Sequence, residues 1–161
     1  MKKYDKGCSP TNLQNNSFKH IYIVVHCAAT PPSADIGVAE IRRWHVEDRG
    51  WSDIGYHYVI RRNGTIEPGR PHDVVGSHVR GHNRDSVGIC LVGGVNAAGA
   101  PDANYTDAQW ASLKAIVHAM TVEYPHAEVL GHHDFPGVEK ACPCFVVRDW
   151  WEPLRQEIEA L

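Results

Sequence analysis

The side chains able to do chemistry fall in three short stretches of the sequence. His26 follows the apolar run Ile21-Tyr22-Ile23-Val24-Val25, His132 and His133 follow Val129-Leu130-Gly131, and Cys142 closes Lys140-Ala141-Cys142 just before Pro143. Neutral imidazole and thiolate are donors that zinc takes readily, and two imidazoles with one thiolate leave a fourth position for water. A sealed structural zinc site calls for paired cysteines at short spacing, and Cys142-Pro143-Cys144 does not have that pattern. The same residues allow another chemistry, with Cys142 as nucleophile and His132 as base. In an extended chain His132 and His133 face opposite ways, so at most one of them joins a shared site. Each piece alone also reads as structural: a strand-end histidine bonded within the core, or a buried inert thiol.

The elements that must position these residues follow from local pattern. Ile21 to Val25 is a β-branched and aromatic run, hence a buried strand, and period-two alternation puts His26 on the face of Val24 and Tyr22. Ile36 to Asp48 carries Val38, Ile41 and Trp44/His45 at helical spacing, with Gly50 past its end. Tyr56 to Arg62 reads as a strand, and Asn63-Gly64 turns it back into Thr65 to Glu67. Val87 to Val92 is a further core strand. Thr106 and Gln109 form a capping box that opens a helix burying Trp110, Leu113, Val117 and Met120 and stopping before Pro125. Glu128 to His132 is a short strand. Asp149 and Glu152 suggest a second capping box for a last helix with Trp151, Leu154, Ile158 and Leu161 on one stripe and Pro153 in its first turn. The expectation is an α/β fold: a single domain over 18–161 with a central mixed β-sheet flanked by about three α-helices, preceded by an N-terminal arm over 1–17.

Composition narrows the function classes. The chain has 161 residues, of which 43% are hydrophobic, and a formal net charge of −3. One domain of this size builds a core without staples. No strong basic field is present, so nucleic acid is not the expected ligand. No apolar run approaches the roughly 18–20 residues that cross a bilayer, and Met1 to Ser17 is polar and lacks a secretory signal; neither membrane insertion nor export by a signal peptide is expected. The five cysteines, Cys8, Cys27, Cys90, Cys142 and Cys144, show no disulfide framework and read as reduced thiols. The 11 histidines are an excess whose meaning depends on position.

One ordered set of stretches carries a resemblance. Val25-His26-Cys27-Ala28-Ala29-Thr30, Gly55-Tyr56-His57-Tyr58, Gly76-Ser77-His78, Asn83, Val87-Gly88-Ile89-Cys90-Leu91-Val92-Gly93-Gly94, His132-His133-Asp134 and Lys140-Ala141-Cys142-Pro143 together resemble the type 2 N-acetylmuramoyl-L-alanine amidases, relatives of the peptidoglycan recognition proteins. The likeness spans residues 20–152 and lies in the joint pattern rather than in any one piece. It implies one catalytic Zn2+ held by His26, His132 and Cys142, with His132 rather than His133 as the second imidazole. It implies catalytic support from Tyr56 and Lys140, and a substrate groove bordered by His78 and Asn83. The implied reaction is hydrolysis of the amide between N-acetylmuramic acid and L-alanine in peptidoglycan. The implied setting is a phage endolysin that waits in the host cytoplasm until the inner membrane opens, then acts on the periplasmic cell wall. A phage RNA polymerase partner is implied by resemblance alone. Non-hydrolytic relatives lack the ligand cysteine, so Cys142 favours an enzyme over a peptidoglycan-binding module. Three departures stand out: the segment from His132 to Lys140 is slightly longer than in small phage members, Cys144 replaces a serine and is a competing thiol, and Val146 replaces an acidic residue. His45, His57, His72, His82, His118, His126 and His133 are left as structural, surface or supporting groups, one of which could hydrogen-bond a ligand imidazole.

Overall fold

The strands β1 (Tyr22–Cys27), β2 (Tyr58–Ile60), β3 (Ile66–Pro68), β4 (Ser86–Leu91) and β5 (Glu128–Gly131) form one sheet in the spatial order β3-β2-β4-β1-β5. The computed structural model describes residues 20–161; the arm expected over 1–17, with Cys8, lies outside them. β1 runs parallel to both β4 and β5, β2 runs parallel to β4, and β3 pairs antiparallel with β2. With the helices α1 (Val38–Arg43), α2 (Asp107–Glu123) and α3 (Val147–Glu159), this is the mixed-sheet α/β architecture expected.

β1 lies inside the sheet, between β4 and β5, and is apolar on both sides, the signature of a parallel strand covered on both faces. Ile23 and Val25 point to one face, where they join Val87, Ile89 and Leu91 of β4 against Leu113, Ile116, Val117 and Met120 of α2 and Val147 and Trp151 of α3. Val24 points to the other face and packs with Val79, Leu130 and Phe135. On that face α1 brings Val38 and Ile41 against Val59, Cys90 and Val92. Each fully buried large aliphatic side chain contributes roughly 1.5–3 kcal/mol. His26 is only 1% exposed and, by alternation, shares the face of Val24.

Several local readings are revised. The helix expected over 36–48 is α-helical only to Arg43 and continues as a wider π-helical turn over Trp44–Asp48, which carries His45 inward. The strand expected from Tyr56 is regular only from Tyr58. Its first residues still pair, His57 N–H donating to Gly88 C=O at 2.9 Å and Arg70 N–H to Tyr56 C=O at 3.0 Å. The chain turns back at the expected place but not through a two-residue Asn63-Gly64 turn: the loop is three residues, Arg62 to Gly64, with Gly64 N–H donating to Arg61 C=O at 2.9 Å and Gly64 alone at positive φ, +88°.

The Thr106–Gln109 capping box is present in both directions, each bond at 3.1 Å. Gln109, not Trp110, takes the fully buried position; its carboxamide also receives Arg62 and donates to Ile60 C=O and Val92 C=O. The Asp149–Glu152 box does not form. α3 starts at Val147, with Val146 as an N-cap that offers no side-chain bond. Burial of Val147 draws the helix start forward, and Glu152 turns instead to Arg155. Pro153 therefore lies inside the helix rather than in its first turn, and Leu161 is fully exposed. No helix among the described residues is long and apolar enough to cross a membrane.

Candidate metal centre and active site

The carboxyl ends of neighbouring parallel strands are where an open α/β sheet gathers functional groups. β1 delivers His26 near its end, and β5, its parallel neighbour, delivers His132 immediately after its last residue. The loop leading to α3 brings Cys142 back to them. One donor atom from each of His26, His132 and Cys142 lies within 4.8 Å of the others, the one such histidine, cysteine or carboxylate cluster among the described residues. The structure thus brings these three residues together. His133, the alternative, donates its backbone N–H to Cys142 C=O at 2.9 Å and sets its ring Nδ1 3.0 Å from the same oxygen. It supports the loop rather than joining the cluster.

The donor set fits zinc. Burial, and then the neighbouring imidazoles of His78 and His132, hold His26 well below the usual imidazole range. Burial and the charge of Lys140 lower His132 in the same way. Both rings are thus neutral near pH 7, the form a metal takes. Cys142 Sγ accepts the backbone N–H of Cys27 at 3.1 Å, a bond that favours its thiolate. The Cys27 and Cys142 thiols also influence each other's ionisation. Without a metal the negative charge favours Cys27, lowered to about 6 by the Cys142 thiol, while the Cys27 thiol and burial push Cys142 up. A cation beside Cys142 reverses that preference, because it stabilises the thiolate directly. Cys144, the competing thiol, borders the same cavity but is absent from the cluster; its Sγ donates to Gly94 C=O at 3.2 Å.

The expected supporting residues surround this cluster. The ring of Tyr56 lies 5.1 Å from that of His26. Burial, with the thiols of Cys90, Cys142 and Cys27, raises its hydroxyl well above the ordinary value. It therefore stays protonated near neutral pH. Lys140 is exposed and borders the same cavity of about 410 Å³ that holds His26, Tyr56, His132 and Cys142. A second groove of about 810 Å³, lined by Asn83 and Arg80, continues from it and shares Trp51, Ser77, His78, His132 and Lys140. A groove of about 940 Å³ between α2 and α3 is larger but remote from these groups.

His78 and Asn83 line the second groove, where Asn83 Oδ1 and both ring nitrogens of His78 are already engaged. Asn83 Oδ1 accepts the backbone N–H groups of His78 and Val79 at 2.8 and 2.9 Å. His78 Nδ1 lies 2.8 Å from His26 Nε2, and His78 Nε2 lies 3.1 Å from Ser86 Oγ. The imidazole bonded to His26 is His78, which the sequence pattern marks only as groove wall and which is not among the seven histidines named as possible supports. A usable signal was Gly88, a residue without a side chain inside a buried strand, which marks close approach of another group. A Cβ there would stand 2.7 Å from the His78 ring.

Comparisons with known proteins agree with this geometry. Residues 17–145 match the family model described as N-acetylmuramoyl-L-alanine amidase. The chain is 52% identical over 130 residues to the endolysin of Klebsiella phage KP32, covering 81% of this chain and 84% of that one. It is 48% identical over 130 residues to the endolysin of Escherichia phage T7, with the same 81% and 84% coverage. Among solved structures it superposes on the N-acetylmuramoyl-L-alanine amidase LysC from Clostridium intestinale URNW with a TM-score of 0.71 at 30% identity, covering 88% of this chain and 87% of that chain. Drosophila PGRP-LB follows at a TM-score of 0.65 and 25% identity, covering 77% and 74%. With a family match spanning most of its length and these relatives, the chain belongs to the N-acetylmuramoyl-L-alanine amidases.

Proposed function

We propose that this amidase hydrolyses the amide between N-acetylmuramic acid and L-alanine using a zinc ion held by His26, His132 and Cys142, and that it serves as a phage endolysin. The observation that carries the reading is the convergence of two neutral imidazoles and a thiol at the carboxyl ends of β1 and β5, at the floor of an open groove. Zinc in a three-ligand site supplies an activated water near neutral pH and an electrophile for the carbonyl oxygen. The protein supplies the rest. Burial keeps His26 and His132 unprotonated, and the Cys27 N–H steadies the Cys142 thiolate. Tyr56, protonated across the working pH range, orients the attacking water or the scissile group through its hydroxyl proton. The Lys140 ammonium at the cavity rim offsets the charge that develops on the carbonyl oxygen. The wall containing His78 and Asn83 shapes the groove for the glycan and its peptide. The protein meets its substrate in the periplasm once the inner membrane has been opened.

The test is mass spectrometry of purified murein after digestion. Free lactyl-ended glycan and peptides beginning with L-alanine are expected, lost on chelation and restored by zinc. Activity indifferent to chelation but abolished by alkylating metal-free protein would replace this reading with a Cys142 nucleophile.

A further inference from the structure

A chain of hydrogen bonds behind His26 has only one consistent arrangement of protons. Ser86 Oγ lies 2.6 Å from the backbone C=O of His82. A carbonyl has no proton to give, so the serine hydroxyl donates its own. Ser86 Oγ is then left as an acceptor toward His78 Nε2, 3.1 Å away, and that nitrogen must carry a hydrogen. A neutral imidazole carries one hydrogen, so His78 Nδ1 is a lone pair and accepts from His26 Nε2 at 2.8 Å. His26, neutral in its turn, holds its hydrogen on Nε2 and has its lone pair on Nδ1.

The surroundings hold the relay in place. The His78 ring is pressed between two glycines: an added Cβ at Gly88 would stand 2.7 Å from its Cγ and Nδ1, and one at Gly76 would stand 2.9 Å from its Cδ2. Ser86 is fully buried, His78 is 9% exposed and His26 is 1% exposed. Water therefore has little room to supply a substitute partner. Both polar atoms of the His78 ring are consumed by this chain, so its ring has no remaining polar atom for substrate.

Resting on the zinc reading above, we infer that Ser86 and His78 are positioning residues that lock His26 in its Nε2–H tautomer and so present Nδ1 to the metal. Partners behind a ligand imidazole fix both its tautomer and its orientation, and losing them costs about 10–100-fold in metal affinity. Ser86 carries this role although it lies outside the metal cluster and outside both grooves at the site.

Nitrogen-15 NMR of the metal-free wild-type protein above pH 7 reads the tautomers directly and needs no variant. The expected spectrum has hydrogen on Nε2 of both His26 and His78. Hydrogen on His26 Nδ1 would overturn the inference. Ser86→Ala and His78→Leu then test the consequence: a mixed His26 tautomer and zinc affinity lowered about 10–100-fold in competition with a chelator, with the backbone amide spectrum otherwise retained. His78→Gln, whose carboxamide oxygen can accept the His26 N–H, should recover part of the affinity. Wild-type tautomer and affinity in folded Ser86→Ala and His78→Leu would also overturn it. These readouts are independent of murein: failure to release L-alanine peptides removes the amidase reading and leaves the tautomer result standing.

Discussion

Gly88→Ala tests how tightly the support behind the metal centre is packed. Gly88 pairs with Val24 in the middle of the sheet, and the His78 ring lies directly over it. The new methyl would sit 2.7 Å from His78 Cγ and Nδ1 and 2.9 Å from its Cδ2. Carbon contacts are comfortable at about 3.5–4.0 Å, so the ring must retreat by about 1 Å. Gly76 also closes on the same ring and Asn83 holds its backbone, which limits that retreat to the side facing the groove. Overpacking of this kind costs about 1–3 kcal/mol. The displaced Nδ1 also abandons the buried His26 N–H, adding about 1–3 kcal/mol. Alanine recovers about 0.5–1 kcal/mol over glycine within a strand, which leaves a net loss of about 1–5 kcal/mol. At about 2–4 °C per kcal/mol for a domain near this size, Tm should fall by about 2–20 °C. Thermal and urea unfolding of the metal-free protein give the stability change, and a chelator-competition titration gives the accompanying loss of zinc affinity. A variant within about 0.5 kcal/mol of wild type, with unaltered zinc binding, would refute both the clamp and the role assigned to His78.

Three further outcomes follow from the site. Cys142→Ala should fold but lose zinc binding and murein cleavage together; full turnover by the folded variant would reject the ligand set. Lys140→Ala should keep its zinc and lose about 10²–10³-fold in kcat, the usual cost of removing one group that stabilises a developing oxyanion; equal kcat in both forms would take Lys140 out of the mechanism. His45 and His57 are each lowered by burial to about 4. Their folded values lie below the unfolded value near 6.5, so the unfolded chain takes up protons first and stability drains away as pH falls from about 6.5 toward 4. Each should cost about 2 kcal/mol by pH 5, seen as a falling urea midpoint between pH 7 and pH 5 in metal-free protein. A midpoint that stays level over that range would mean one or both rings already carry a charge in the fold.

The parts of this molecule legible in its sequence are those that depend on neighbours along the chain. The burial of β1, the side of it that carries His26, the place of the chain reversal at Asn63-Gly64 and the Thr106–Gln109 cap all follow from spacing and side-chain type. Local pattern misleads where a distant contact decides. Asp149 and Glu152 carry the residues of a cap, yet Val147 is fully buried against the sheet and α3 begins there instead. The ligand set lies beyond local reading for the same reason, since His26 and His132 meet only because β5 pairs parallel to β1. What joins them is also non-local. Cys27, next to His26, donates its backbone N–H to the sulfur of Cys142. His133, next to His132, donates its backbone N–H to the carbonyl of Cys142. The chain neighbour of each imidazole thus grips the cysteine, and both grips are donated by backbone N–H groups, which leave no trace in the type of the donor residue. Such cross-bracing ties the three donors to one sheet edge, so a displacement of either strand end reaches the sulfur as well as its own imidazole. The His26–His132–Cys142 cluster is in this sense a property of strand pairing, and on the proposed zinc reading substitutions that loosen the β1–β5 pair should lower zinc affinity in a chelator-competition titration even where all three residues stay in place.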